Sequence, residues 1–395
     1  MRVLHVIPSI GVVRGGPSHS VMAMVKALRM NGVDAEIVTT NDNGAERLSV
    51  PLNQRIEYDQ VPVWFLPRFS PPLKEFLFSA DLTRWLWHNV QNYDLLHNHY
   101  LFSYAPTCAG VIARYYQVPY LVKTNGQLTP WALAQSRLKK QIYTTLIERH
   151  NLNHAAAIHC TSADETANVR HFGVQAPTIT LPLGVNQLEP WADAKQKLHQ
   201  RYNIPDSVPI VLFLSRVHPK KNPEVLLRSL SQLAAQHEPF HLILAGEGEA
   251  DYLQHLHQLV NTLNLLPQVS FAGFVTGQNK ALLLQGADLF ILPSFTENFG
   301  LAIAEAMAAS LPVIVTPGVQ IAPDILDSNA GLVVAGEVEP LSQAISQLLR
   351  DPELRQRLGQ NGHRLAQERY CWDSLTQTLA IVYDAILSHR PLPSI

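Results

Sequence analysis

Along the chain, short runs of consecutive apolar residues alternate with stretches in which apolar positions recur every three to four residues. Consecutive apolar runs fit strands covered on both faces, as in parallel sheets, and the wider spacing fits the helices that cover them. The pattern opens with a strand at Arg2–Ile7, a loop Gly11-Val-Val-Arg-Gly15-Gly16-Pro17, and a helix from Ser18 to about Met30 with Gly32 past its end. Strands are then predicted at Val33–Thr40, Val61–Leu66, Tyr93–Tyr100, in the run that starts at Pro119, at Ala155–Cys160 and at Thr178–Leu181, with Thr161 and Ser162 capping the helix after the fifth of these. A second series begins at Val208–Leu214 and continues through Phe240–Ala245, Val269–Phe271, Asp288–Leu292, Leu311–Val315 and Gly331–Val334. Residues 41 to 60 are polar and irregular, and no chemistry is read from them. Ser70–Phe78 reads as a helix covering the core, with the lining of a binding site as the alternative.

Two series, each opened by a strand and a turn into a helix, predict two doubly wound α/β domains facing a cleft. Length agrees, since 395 residues with 47% hydrophobic content can fill two cores. A formal net charge of −2 provides no global basic field, so nucleic acid is not expected as a partner. Cys108, Cys160 and Cys371 are odd in number and far apart, which predicts reduced thiols in a cytoplasmic protein rather than a disulfide framework or a zinc site. The apolar start is interrupted by His5 and Pro8 and reads as a strand, not a signal peptide. No apolar run approaches the ~20 residues of a membrane span, so any membrane contact is expected to be peripheral.

Chemistry concentrates where strands end. Asp288–Leu292 is stopped by Pro293, and a loop through Glu297, Asn298, Phe299 and Gly300 leads into good helix formers from Leu301. The free N–H groups of such a helix start suit a phosphate, and Gly300 allows close approach. Taken singly, Glu297 reads as a dipole-compensating acid and Glu305 as a solvated one. Glu305, however, lies in the otherwise apolar run Leu301–Ala309, where a charge needs a reason. Val208–Leu214 delivers Arg216 to the same kind of edge, and Lys221 follows five residues later, a pair better explained as an anion clamp than as scattered surface cations. Strand period puts His97 and His99 on one face. Gly15 and Gly16 serve either an anion or an ordinary tight turn. Asn125, Gln127 and Trp131 offer hydrogen bonds and an aromatic platform, or turn chemistry alone. Arg137, Lys139 and Lys140 open a helical stretch ending at His150, a solvated face or a seat for an anionic lipid.

The run from Glu297 to Glu305 resembles the E-x7-E element of retaining glycosyltransferases of the GT-B fold, family four, and Arg216 with Lys221 has that family's spacing. The resemblance covers nearly the whole chain. It implies a Pro-x-Gly-Val turn at Pro182–Val185 where the chain crosses between domains, hence an acceptor-side domain over 1–186 and a donor-binding domain over 187–370, with 371–395 crossing back. It implies that Arg216 and Lys221 hold a diphosphate beside Gly15, Gly16 and the amides of Gly300 and Leu301. Glu305 would take ribose hydroxyls, Val275 would meet the base through its main chain, and Glu297 and His99 would contact the reacting sugar. Retention at the anomeric carbon comes from the resemblance alone. Two departures stand out: Asn125 where relatives often carry histidine or arginine, and Asn222 where they usually carry glycine.

The implied partners are a nucleotide-diphosphate sugar and a glycan, lipid-linked or small-molecule acceptor, in cell-surface or exopolysaccharide assembly on the cytoplasmic side. No cofactor is expected. The chain has no D-x-D, and the two cations would replace the metal such motifs hold. A nucleotide-sugar epimerase and a non-catalytic nucleotide-sugar binder are the other readings, and acceptor-dependent turnover separates them.

Overall fold

In a computed structural model of the chain, residues 1–69, 76–134 and 143–393 are described. The chain forms two compact units, Met1–Gly184 with Trp372–Ile395, and Val185–Cys371. Ser70 to Glu75 and the basic triplet Arg137, Lys139 and Lys140 lie outside the described residues.

The first unit is built on one sheet. Its strands are β1 (Arg2–Ser9), β2 (Asp34–Thr40), β5 (Arg55–Tyr58), β6 (Val61–Leu66), β7 (Leu95–His99), β8 (Tyr120–Lys123), β9 (Ala157–Cys160) and β10 (Thr178–Thr180). They lie in the order β10-β9-β8-β7-β1-β2-β6-β5. Neighbours are parallel except β5, which runs antiparallel to β6. The chain builds outward from β1 on one side and then from β7 on the other. The junction of β1 and β7 is therefore the topological switch point, where an open α/β sheet leaves a crevice at its carboxyl edge.

Residues 41 to 60 hold more structure than their polarity suggests. A two-stranded hairpin, β3 (Asp42–Asn43) with β4 (Glu46–Arg47), precedes the edge strand β5. Strand β5 alternates exposed and half-buried residues, so it shows none of the continuous apolar signal of the inner strands. Asp42 is fully buried and ion-paired to Arg14 at 2.7 Å and Arg68 at 3.4 Å, which anchors the glycine loop after β1.

Helix Gly16–Met30 covers one face, with Pro17 in its first turn. The last helix, Trp372–Leu387, belongs to this unit and packs its Trp372, Leu379, Val382 and Tyr383 into the same core as Val21, Met24, Val25 and Leu28. Each such fully buried apolar side chain contributes about 1.5–3 kcal/mol of burial energy, enough to hold a segment distant in sequence.

The second unit carries a six-stranded, all-parallel sheet in the order β13-β12-β11-β14-β15-β16. Its strands are β11 (Ile210–Leu214), β12 (His241–Ala245), β13 (Val269–Gly273), β14 (Leu289–Leu292), β15 (Val313–Val315) and β16 (Gly331–Val333). All residues of β11, β12, β14 and β15 are buried, as expected for strands covered on both faces. Here the switch point falls between β11 and β14.

Candidate active site

In the second unit, the loops leaving β11 and β14 are built to stay together. Gly246 and Gly248 lie against the first loop so closely that a Cβ at either would sit 1.8 Å from the Ser215 carbonyl or 2.1 Å from that of Val217. Ser215 and Val217 donate their amides to Ala245 and Glu247 at 3.1 and 2.7 Å. Arg216 thereby leaves the sheet edge exposed to solvent. His218 caps the turn Pro219–Lys221 by accepting from the Lys220 amide at 3.0 Å, and Asn222 then adopts φ 54°, ψ 44°. That left-handed conformation explains a position where glycine serves well and asparagine is tolerated.

The β14 loop is tied to this turn, because the Phe295 amide donates to the Lys220 carbonyl at 2.9 Å. Glu297, 8% exposed, accepts from Lys221 Nζ and from Ser294 Oγ at 3.0 Å. Its backbone is clamped as well: the Glu297 amide donates to Gly318, and its carbonyl accepts from Gln320, at 2.9 and 3.1 Å. Gly318 packs so tightly that a Cβ there would fall 2.1 Å from the Phe295 carbonyl oxygen. Burial lowers the Lys220 pKa, with Lys221 and Arg216 adding repulsion and Glu297 opposing them. Positive charge is thus concentrated around one carboxylate.

Gly300 has φ 83° and precedes the helix Leu301–Ala308. Its carbonyl accepts the Ile303 and Ala304 amides, while the amides before them lie outside the helical ladder. Glu305 sits just over one turn along, half-buried, and its Oε1 accepts from Lys280 Nζ at 2.7 Å. Phe299 is 3% exposed with its ring edge-on to Tyr370, so its main chain rather than its ring is what a donor could meet. Asn298 and Leu301 are half-buried beside it, and Val275 is half-buried after β13.

In the first unit, His99 ends β7 at the switch point and is 3% exposed. Its ring stacks on His97 at 4.6 Å, as strand period requires of one face, and on His5 of the neighbouring β1 at 5.2 Å. His159 on β9 joins the group through His97 at 3.3 Å. Burial first, and neighbouring positive charge second, hold all four imidazoles below their ordinary pKa, His5 at about 3. Lys123, 2% exposed, is brought down to about 7 by burial, against the pull of Glu165. One ring nitrogen each of His5, His97 and His99 lies within 4.8 Å of the others, a spacing a metal ion could accept. The contacts these rings make with one another and the nearby Lys123 favour hydrogen-bonded neutral imidazoles instead.

Glu165 also organises the loop after β8. It accepts from Thr124 Oγ1 at 2.6 Å, from the Gly126 amide at 2.5 Å, and from the amide and hydroxyl of Thr161 at 2.7 Å. Asn125 takes φ 49° in this loop. Gln127 accepts the Leu101 amide through Oε1, and Trp131 is 45% exposed. Gly15, at φ 73°, and Gly16 start the first helix.

The structure thus brings together Lys221, Glu297, Gly300 and Leu301 on two linked loops, with Arg216 leaving the first of them and Glu305 farther along the helix. Gly15, Gly16 and His99 stand at the switch point of the other sheet. Sequence reasoning missed Ser294, Lys220 and Lys280, for none has a spacing that distinguishes it from a solvated residue. His5 carried a signal, a histidine inside a buried strand.

Two doubly wound parallel sheets, each with its polar groups at the switch point, define a two-domain α/β architecture of the GT-B type. Two family models match, "Glycosyl transferases group 1" over residues 194–365 and "Glycosyl transferase 4-like domain" over 15–184, and the chain belongs to the group 1, family 4 glycosyltransferases. It is 27% identical over 395 residues to a D-inositol 3-phosphate glycosyltransferase of Xylanimonas cellulosilytica, covering 95% of this chain and 93% of that one. Among solved structures it is similar to sucrose-phosphate synthase from Thermosynechococcus elongatus, with TM-score 0.79, 23% identity, and 98% and 100% of the two chains covered. It is also similar to Anabaena HepE, solved with UDP and glucose, with TM-score 0.77, 21% identity, and 96% and 98% covered. No helix among the described residues is long and apolar enough to cross a membrane.

Proposed function

We propose that this glycosyltransferase moves a sugar from a nucleoside-diphosphate donor to an acceptor hydroxyl, with retention at the anomeric carbon and without a metal. The observation that carries the reading is the concentration of Arg216, Lys220 and Lys221 around the buried carboxylate of Glu297, beside the start of helix Leu301–Ala308. A leaving diphosphate supplies the negative charge that this cluster lacks. As the glycosidic bond to phosphate lengthens, charge develops on the phosphate oxygens, and fixed cations and helix amides stabilise it without reorganising. Arg216 and Lys221 hold the diphosphate, and Gly300 and Leu301 add their amides. Glu297 faces the electron-poor sugar, and His99 contacts a sugar hydroxyl. Lys280 holds Glu305 by Oε1, and its other oxygen takes ribose hydroxyls. The UDP and glucose solved with HepE and the D-inositol 3-phosphate in the relative's name belong to those proteins. They support a nucleoside-diphosphate sugar and a hydroxyl acceptor here; cell-surface glycan or glycolipid assembly at the inner face of the membrane is the setting we propose for the reaction.

Calorimetry with UDP, GDP and ADP and their sugar conjugates, on the wild type, Arg216→Ala and Glu305→Ala, tests the site. One nucleotide series should bind, and both substitutions should weaken it. Binding unchanged in a variant removes that residue from the site, and binding of no nucleotide removes the donor assignment. With an acceptor in hand, the anomeric coupling of the product read by NMR decides retention. Turnover without any acceptor would favour an epimerase.

A further inference from the structure

The protons in the buried histidine group can be placed from their partners. The Leu181 carbonyl can only accept, so His159 carries its proton on Nε2, 3.0 Å away. Neutral His159 then presents a lone pair at Nδ1, and His97 donates to it from Nε2 at 3.3 Å. His97 Nδ1 accepts in turn from the Tyr383 hydroxyl at 2.7 Å. This half of the group is settled by a carbonyl at one end and a phenol at the other.

The other half is the pair His5 Nδ1 and His99 Nε2, 3.0 Å apart with one proton between them. If His99 donated, neutral His5 would carry its proton on Nε2, a buried atom with no hydrogen-bond partner. A buried N–H without an acceptor is rarer and costlier than a buried lone pair without a donor. The proton therefore belongs to His5 Nδ1, and His99 accepts at Nε2. A neutral His99 must then carry its own proton on Nδ1. Stacking on His5 at an interplanar angle of 24° and on His97 at 22° keeps the ring from flipping about its Cβ–Cγ bond, which would swing Nε2 away from His5.

We propose that His5 is a positioning residue that sets His99 as the neutral Nδ1–H tautomer, so that His99 meets the sugar as a hydrogen-bond donor and not as a base. The assignment of the tautomer stands on the geometry of this unit; its consequence rests on the sugar contact proposed for His99. An N–H at that position pairs with a hydroxyl oxygen of the donor sugar, and it cannot remove a proton from the acceptor. His5 never touches substrate in this scheme.

The test is long-range 1H–15N NMR of the histidine rings in the full chain labelled at histidine, with His99 assigned from His99→Gln. The expected pattern at pH 7 is a protonated Nδ1 and a bare Nε2 on His99. In His5→Phe that pattern is lost and kcat falls about tenfold with little change in the donor KM, the worth of one hydrogen bond to the sugar. His5→Asn, whose side-chain amide can again donate, recovers much of kcat. A wild-type His99 protonated on Nε2, or charged at pH 7, overturns the inference whatever the activity and needs no folded His5 variant. If the Nδ1–H tautomer is present but His99→Ala transfers sugar at the wild-type rate, the sugar contact is overturned while the tautomer assignment stands.

Discussion

Replacing Glu297 by glutamine separates a catalytic carboxylate from a structural one. The change keeps shape and removes charge, leaving Lys221 without its counter-ion. Breaking a fully buried ion pair costs about 3–5 kcal/mol, and these side chains are 12% and 11% exposed, so about 2–3 kcal/mol is expected here. With a urea m-value of about 2–3 kcal/mol per molar, the unfolding midpoint of the second unit should fall by about 1 M. Nucleotide affinity should move the other way. A carboxylate on the order of 8 Å from a bound diphosphate, at an effective dielectric of 20–40, repels it by about 1–2 kcal/mol. Removing the charge should tighten UDP or GDP binding by about five- to thirty-fold. Sugar transfer should fall by about 10²–10³, the usual cost of removing one preorganised electrostatic group. Urea unfolding, calorimetry with the nucleoside diphosphate and a steady-state transfer assay read the three effects separately. Nucleotide binding that weakens along with stability, or a kcat within a few fold of wild type, would falsify the catalytic placement and leave Glu297 as a loop clamp.

Gly318→Ala drives a methyl against the Phe295 carbonyl at 2.1 Å and should destabilise the second unit by about 1–3 kcal/mol while lowering kcat, since Gly318 also holds the Glu297 amide; unchanged urea midpoints would show the two loops slide freely. At Asn222, φ 54° predicts that glycine is tolerated and that valine costs about 1–2 kcal/mol, measured by the same unfolding curves. The four histidines titrate in the folded chain below their unfolded value, so on acidification the unfolded chain takes up protons first and stability is lost as pH falls below about 6.5. Lys123 has the same sign in a higher window: between its folded value of about 7 and the ordinary 10.5, the unfolded chain binds more protons, and stability rises with pH. Lys123→Met should flatten that upper rise in midpoints taken from pH 7 to 10, and a slope as steep as the wild type's would place the titration elsewhere.

Much of the fold is local in origin and could be read in advance. Buried parallel strands such as Ile210–Leu214 and Leu289–Leu292 announce themselves as apolar runs because both faces are covered, and the strand Val61–Leu66 has the bounds its apolar run predicts. Strand Arg55–Tyr58 was not, because an edge strand with one half-buried face carries half the signal. Within the site, Glu297, Glu305, Arg216 and Lys221 stood out by spacing and by charge at strand ends, where a sheet of this topology opens. What one-dimensional pattern cannot hold is the partner of each charge. Lys280 is 25 residues from Glu305, Asp42 is 28 from Arg14, and His5 is 94 from His99, and each pair meets only because strands and helices distant in sequence pack side by side. The sequence by itself determined which groups are present and which strand ends carry them. Tertiary packing alone decided which charges are neutralised, how deeply the histidines are buried and on which nitrogen each carries its proton, because those depend on the neighbours that folding supplies.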